Sequence, residues 1–264
     1  MASPPNSQSG GFFPPSVLPS PVPSTASAAS STTVTSALPH PRGKALLPNT
    51  KKEDMVRRFA EERLLDISRR YVKKFAPPDP QDAVVGFRTF TQVCREFDGL
   101  VNILWRSGTP SLQIPFLLRL VSDFTQYVRS FPPAPHATFA LLRKLDHCFA
   151  SLLRGADTDT NEALPGFENG LRMGMTVTDM VRCRSIVEQA RILIVEIMSQ
   201  PAPDEEDDEG VGETTAETET EDEACVGHEC SDDHDEARLH MDAARVFEKT
   251  IVQLGERLGE PLGV

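Results

Sequence analysis

Apolar residues recur at intervals of three and four along most of residues 50–200. This spacing places them on one side of an α-helix, whereas a half-buried β-strand would need alternation at every second position. No segment of the chain combines such alternation with hairpin turns. We therefore predict an all-α fold: a bundle of five helices, followed after an acidic segment by a sixth, C-terminal helix.

Signals at the helix ends support this division. Thr50 and Glu53 stand at capping-box spacing before the first helix. Gly108 follows the second helix and Gly155 the fourth, where each is predicted to adopt the left-handed conformation of a C-terminal cap. A threonine at position 176 or 178 is predicted to cap the fifth helix.

The third helix has two alternative starts. If Ser111 is its N-cap, Pro115 falls in the first turn, where a proline costs little. If the helix begins at Thr109, Pro115 lies further inside and a kink is expected.

Composition divides the chain into segments. Residues 1–50 hold ten of the 22 prolines and ten serines, without any Asp or Glu, and residues 204–236 hold 17 Asp or Glu without any Lys or Arg. Neither composition offers enough apolar surface to offset the entropy of ordering. We predict a disordered Pro/Ser-rich tail over 1–48, a helical bundle domain over 49–200, an acidic disordered strap over 201–234, and a C-terminal amphipathic helix over 235–259, packed on the bundle or covered by a partner.

The first helix is basic. Residues 51–74 contain nine Lys or Arg against five acids. Their cations could contact phosphates or an acidic partner, but interleaved acids three or four residues away favour pairing along the helix instead. The predicted contact residues are Lys51, Lys52, Arg57, Arg58, Arg69, Arg70, Lys73 and Lys74.

A short Cys/His cluster lies at the end of the acidic strap. Cys225, His228, Cys230 and His234 offer two thiolates and two imidazoles, which is a ligand set that zinc accepts. Their spacing matches no zinc-finger pattern, and "SDDHDEA" around them provides no small core. The cluster is predicted to be an acidic linker, with a zinc site as the alternative and no other cofactor.

No catalytic or nucleotide-binding motif occurs in the chain, so we do not predict an enzyme. Asp146 and His147 are neighbouring acid and imidazole groups, but adjacent residues on a helix point about 100° apart. We predict that His147 is a surface or capping residue that makes hydrogen bonds.

The N-terminal stretch lacks the basic and apolar regions of a secretory signal, and no apolar run is long enough for a membrane span. We expect an intracellular protein, in the nucleus rather than the cytoplasm, without a membrane partner. The sequence gives neither its oligomeric state nor the identity of its protein partner.

Several runs carry a resemblance to known proteins, over residues 52–200 and 237–258. They are "LVNILWRSGTPSLQIPFLLRL", "FPPAPHATFALLRKLDHCFASLL", "LPGFENG", "TVTDMVRCRSIVEQARILIVEIM" and "ARVFEKTIVQLGERLG". These resemble a poorly characterised family of helical proteins from filamentous fungi, some of which carry the name of a meiotic recombination protein. The resemblance implies at most a nuclear, recombination-linked setting, since the chain has no Walker A loop, and it implies no site residues.

Together these patterns favour a non-enzymatic module that binds other proteins, through the first and last helices. A nucleic-acid-associated accessory factor that uses residues 51–74 is the first alternative. A zinc-dependent regulator that uses the cluster within residues 225–240 is the second.

Overall fold

The apolar periodicity produces helices throughout the described chain. The computed structural model describes residues 38–77, 84–168, 170–199 and 238–259. Within these ranges the only β-type pairing is an isolated antiparallel bridge between Ala156 and Ala163, so the all-α prediction is confirmed. The helices are α1 (Lys51–Lys73), α2 (Phe90–Ser107), α3 (Pro110–Tyr127), α4 (Pro135–Arg154), α5 (Val177–Met198) and α6 (Glu248–Leu258).

The predicted caps of α2, α4 and α5 are confirmed. Gly108 and Gly155 have φ angles of 53° and 76°, in the left-handed region that glycine enters without a steric penalty. Thr176, rather than Thr178, caps α5. Its side chain accepts from the N–H of Asp179, whose carboxylate accepts from the N–H of Thr176 in return.

The start of α1 differs from a regular capping box by one residue. Thr50 accepts from the N–H of Glu53 at 3.4 Å, as predicted. The Glu53 carboxylate, however, accepts from the N–H of Asn49 at 2.7 Å instead of that of Thr50. Asn49 has a φ of 60°, so the chain turns sharply before the helix and presents a different N–H to the carboxylate.

The structure also decides between the two starts of α3. Thr109 is the N-cap and Pro110 is the first helical residue, where its missing N–H and fixed φ suit a helix start. Pro115 therefore lies inside the helix, as the second alternative required.

The C-terminal pattern forms two helical pieces instead of the single helix predicted over 235–259. Residues 238–244 are helical, a turn follows, and α6 begins after Phe247. Phe247 adopts a φ of 56° and is buried beside Phe149, with 6.2 Å between the ring centroids. The break therefore falls at a buried residue with a positive φ, which the apolar spacing does not reveal.

One core holds the described helices together. Helix α1 packs on α2 and α3, α5 packs on α3, and α6 packs on α4 and α5. No helix in the described ranges is long and apolar enough to cross a membrane. The largest fully buried side chains include Trp105, Phe90, Phe97, Phe124, Phe149 and Phe247.

Candidate protein-interaction surfaces

The basic residues of α1 are largely engaged within the molecule. Arg57 pairs with Glu53 at 3.0 Å, and Arg69 pairs with Asp66 at 3.4 Å. Exposed pairs of this kind contribute little to stability, but they lower the charge available to a ligand.

The basic residues at the C-terminal end of α1 also contact aromatic rings. Arg70 pairs with Glu96 at 2.8 Å and lies 4.0 Å from the centroid of the Phe87 ring. The ammonium of Lys74 lies 4.9 Å from the centroid of Phe131. Cations held over ring faces are stabilised where they are, so this end of α1 is a packing surface.

Three cations near the start of α1 behave differently. Lys51, Lys52 and Arg58 are exposed and make no ion pair with any described residue. Asp54 and Glu62 lie in the same shallow depression as Lys51 and Arg58. The predicted basic face is therefore reduced to a small patch of mixed charge.

Helix α5 carries exposed apolar residues near both ends of its outer side. Val177, Val181, Ile192 and Val195 are exposed, with Ile192 at 71%. Their spacing places them on one side of the helix, in two pairs separated by the exposed Arg184–Glu188 ion pair at 2.8 Å. Cys183, Val187, Ala190 and Ile194 on the other side are buried in the core. A helix with apolar residues on both sides has an inner side for the core and an outer side suited to a partner. We call these four exposed residues the α5 face.

The apolar side of α6 is used inside the molecule. The Asp146 carboxylate, on α4, accepts from the N–H of Thr250 at 2.8 Å, from the N–H of Lys249 at 3.3 Å and from the Thr250 hydroxyl at 2.7 Å. Phe247, at the N-cap position of α6, has no side chain that could cap it, so α4 provides the cap. Burial raises the pKa of Asp146, despite these hydrogen bonds.

His147 is buried, which corrects the prediction of a surface residue. Its Nε2 lies 3.1 Å from Oδ2 of Asp157, and its Nδ1 lies 3.0 Å from Oγ1 of Thr158. The imidazole meets the Trp105 indole edge-on, with 5.5 Å between ring centroids. His147 is therefore a hydrogen-bonding residue, as predicted, that attaches the loop after α4 to the core.

Asp157 and its neighbours form a motif that the sequence analysis did not consider. Asp157, Asp159, Asn161 and Glu168 have the spacing of a calcium-binding loop, with Glu162 at the position of its usual glycine. In the structure, Asp157 contacts His147, and Asp159 pairs with Lys249 at 2.9 Å. These carboxylates connect the loop to α4 and α6.

The described residues contain no cluster of three or more His, Cys, Asp or Glu able to hold a metal ion. Cys225, His228, Cys230 and His234 lie outside the described residues, so a zinc site there stays a prediction. Burial raises the pKa of Cys94 and of Cys183 to about 12 each, and also raises that of Cys148. These thiols stay protonated at neutral pH and are poor nucleophiles.

Comparison with known proteins supplies the family. The family model TFB6, described as subunit 11 of the general transcription factor TFIIH, matches residues 86–255. The chain belongs to the TFB6 family. An uncharacterised protein of Schizosaccharomyces pombe is 24% identical over 149 residues, which is 54% of this chain and 78% of that protein. No solved structure matches the chain.

The TFB6 match changes the setting that the sequence suggested. A fungal relative is compatible with the resemblance to fungal helical proteins, but the description of the TFB6 family refers to transcription and not to meiotic recombination. The matched range includes α2 to α5, most of α6, the α5 face and the His147 contacts. Helix α1 and its basic residues precede it.

Proposed function

We propose that this chain is a non-enzymatic nuclear protein that assembles with the general transcription factor TFIIH and docks through the α5 face. The observation that carries the proposal is the TFB6 match over residues 86–255. This range contains α5, whose outer side exposes Val177, Val181, Ile192 and Val195 on either side of the Arg184–Glu188 ion pair. Exposed apolar residues that flank charged groups are typical of surfaces that a partner covers.

The apolar side of α6 is a less suitable docking surface. Phe247 and Leu254 are buried, and the start of the helix is held by Asp146. Because α6 already packs on α4 and α5, docking through that side would first require its detachment. The α5 face needs no such rearrangement.

The test is affinity capture of the full chain from its native cells, with nuclease treatment, followed by mass spectrometry. We expect recovery of TFIIH subunits that survives the nuclease, because the proposed contacts are between proteins. Absence of TFIIH subunits would refute the proposed assembly. Loss of those subunits on nuclease treatment would show that nucleic acid mediates the association.

A matched pair of variants tests the docking surface. Ile192→Glu combined with Val181→Glu places two charges on the α5 face, which should lower recovery of TFIIH subunits at least tenfold, since buried unpaired charge is costly. The control is Met55→Glu with Phe59→Glu on α1, where Met55 is 70% exposed against 71% for Ile192. Equal recovery with both variants would exclude the α5 face. Circular dichroism checks that both variants fold.

Nucleic-acid binding by the start of α1 is the second candidate. It is supported by the exposed cations Lys51, Lys52 and Arg58, which have no ion pair among the described residues. If they contact phosphates, changing all three to Gln should make the slope of log binding constant against log salt concentration shallower, by up to about three.

The control for this second candidate removes the same charge elsewhere. Arg88, Arg106 and Arg257 are also exposed and form no ion pair with a described residue. Changing these three to Gln should leave the salt dependence unaltered. An equal loss in both triple variants would indicate a general charge effect and exclude a specific site on α1.

A further inference from the structure

A cleft of about 360 Å³ lies beside the buried His147. The segment that precedes α1 forms one wall, with Leu38, Pro39 and Pro41, and the loop after α4 forms another, with Leu164 and Pro165. Trp105 and His147 also line it. Small ligand sites share this combination of apolar walls and a few polar groups.

The walls are held in place by backbone contacts. The N–H of Arg42 donates to the carbonyl of Arg106, and the N–H of Leu46 donates to the Thr109 hydroxyl at 2.9 Å. On the other side, the N–H of Leu164 donates to the carbonyl of Gly155 at 3.0 Å. The cleft is therefore built into the fold.

The indole N–H of Trp105 is a hydrogen-bond donor without an acceptor among the described residues. Trp105 is only 1% exposed, and a fully enclosed N–H is rarely left unpaired. Among the described residues, Thr138 Oγ1 is the fully enclosed side-chain polar atom without a hydrogen-bond partner. The unpaired Trp105 N–H is not in that category, so it is not completely enclosed. Since Trp105 lines the cleft, this donor is available to an acceptor that enters it.

Carboxylates dominate the charge around the cleft. Asp157, Asp159 and Glu162 line it, against Arg42 as the one Lys or Arg among its lining residues. Asp159 already pairs with Lys249 at 2.9 Å and Asp157 contacts His147, so Glu162 is the carboxylate most open to a ligand. Burial acts to raise the pKa of Asp157, but hydrogen bonds from the N–H groups of Thr160 and Asp159 and from His147 lower it overall. The Glu162 side chain is largely exposed, with His40 at 3.7 Å. A cationic group at the rim would be favoured there.

We propose that this cleft binds a short segment of another protein in which an apolar residue adjoins an arginine or lysine. The apolar side chain would pack between Pro41, Leu164 and Pro165. The basic group would meet Glu162 at the rim, and a peptide carbonyl would accept from the Trp105 indole. The cleft is separate from the α5 face, so this proposal does not depend on docking through α5.

Charge favours another protein over the chain's own N-terminus as the occupant. Residues 1–37 contain apolar residues but no Lys and no Arg. They could fill the cleft walls but could not neutralise the carboxylates at the rim.

Trp105 is the single tryptophan of the chain, so its fluorescence reports on the cleft directly. The full chain is titrated with the capped peptide Ac-Gly-Leu-Arg-Gly-NH2. We expect a saturable change in emission, with Ac-Gly-Leu-Glu-Gly-NH2 and Ac-Gly-Gly-Arg-Gly-NH2 each at least tenfold weaker. No change with the Leu-Arg peptide, or equal binding of the Leu-Glu peptide, would overturn the proposal.

Two variants separate the cleft from other surfaces. Ala163→Phe fills the cleft and should abolish the emission change. Glu162→Gln should weaken Leu-Arg binding at least threefold, while Glu61→Gln, an exposed acid on α1, should not. Unchanged binding of the Leu-Arg peptide to both Ala163→Phe and Glu162→Gln would show that the peptide does not bind in this cleft.

A crosslinking experiment in native cells identifies the occupant. The full chain carries His40→p-benzoylphenylalanine at the exposed rim. An adduct with a segment of another protein that has an apolar residue beside Arg or Lys supports the proposal. An adduct with residues 1–37 of the same chain would overturn it in favour of its own N-terminus.

Discussion

Helices α1 and α6 both carry an apolar side and exposed charges, yet the fold uses them differently. At the start of α6, Asp146 of α4 supplies the cap, and the apolar side is buried. At the start of α1, Thr50 and Glu53 from the same stretch of chain supply the hydrogen-bond acceptors. Met55 and Phe59 on this helix stay exposed. A locally capped helix needs less from its neighbours, so one side can stay exposed.

The strongest test of this difference is Asp146→Ala. It leaves two N–H groups of α6 without their acceptor, while the Thr250 hydroxyl keeps the backbone carbonyl of residue 146 at 3.2 Å. Each unsatisfied buried group costs about 1–3 kcal/mol, and we expect the free energy of unfolding to fall by about 3 kcal/mol in total. Chemical denaturation measures the loss, and hydrogen exchange should show faster exchange at Lys249 and Thr250.

Asp242→Ala is the control for that variant. Asp242 pairs with Arg143 at 3.9 Å on the surface, and such a pair contributes about 0–1 kcal/mol. An equal loss in the two variants would mean that the cap supplied by α4 is not what attaches α6.

Glu53→Ala tests the local cap of α1. Glu53 accepts from the N–H of Asn49, pairs with Arg57 and lies 3.5 Å from the Ser111 hydroxyl. Loss of a helix cap costs about 1–2 kcal/mol, so we expect a smaller destabilisation than from Asp146→Ala. Thermal unfolding of this variant beside Glu61→Ala, an exposed acid on the same helix, checks the ranking. A larger loss of stability from Glu53→Ala than from Asp146→Ala would contradict this ranking.

The smallest expected effect is a dependence on pH. Because the pKa of Asp146 is raised in the folded state, the folded protein binds this proton more tightly than the unfolded chain. Its contribution favours folding below the folded-state pKa and declines as pH rises through the window between the ordinary and the raised value.

Asp146→Asn cannot titrate and isolates this contribution. Wild type should lose stability relative to Asp146→Asn as pH rises from about 4, the ordinary value for Asp, through the raised pKa. Denaturation curves at several pH values measure the difference. A difference that stays constant over this range would show that Asp146 titrates normally.

Sequence reasoning succeeded where the relevant contacts are local. The helices followed from apolar spacing, and Gly108 and Gly155 followed from their positions after the helices. Each involves residues within one or two turns, which a linear pattern can show. The break at Phe247 was missed because apolar spacing continues through it, and its contact with Phe149 joins residues distant in sequence.

The candidate surfaces were harder to predict for the same reason. Counting charges over residues 51–74 could not show that Arg70 pairs with Glu96 of α2, since that partner is distant in sequence. The cleft requires Leu38, Trp105 and Pro165 to meet. The single tryptophan was the one sequence signal for it.

The sequence by itself determined the helical class, most helix ends and the absence of recognisable catalytic motifs, since these depend on periodicity, caps and local motifs. Only the tertiary structure decided which polar groups are satisfied by neighbours and which remain available. Asp146 caps another helix, His147 attaches a loop to the core, and the Trp105 N–H has no acceptor among the described residues. The physical reason is that burial and hydrogen-bond pairing join residues far apart in the chain, and no local pattern records those partners.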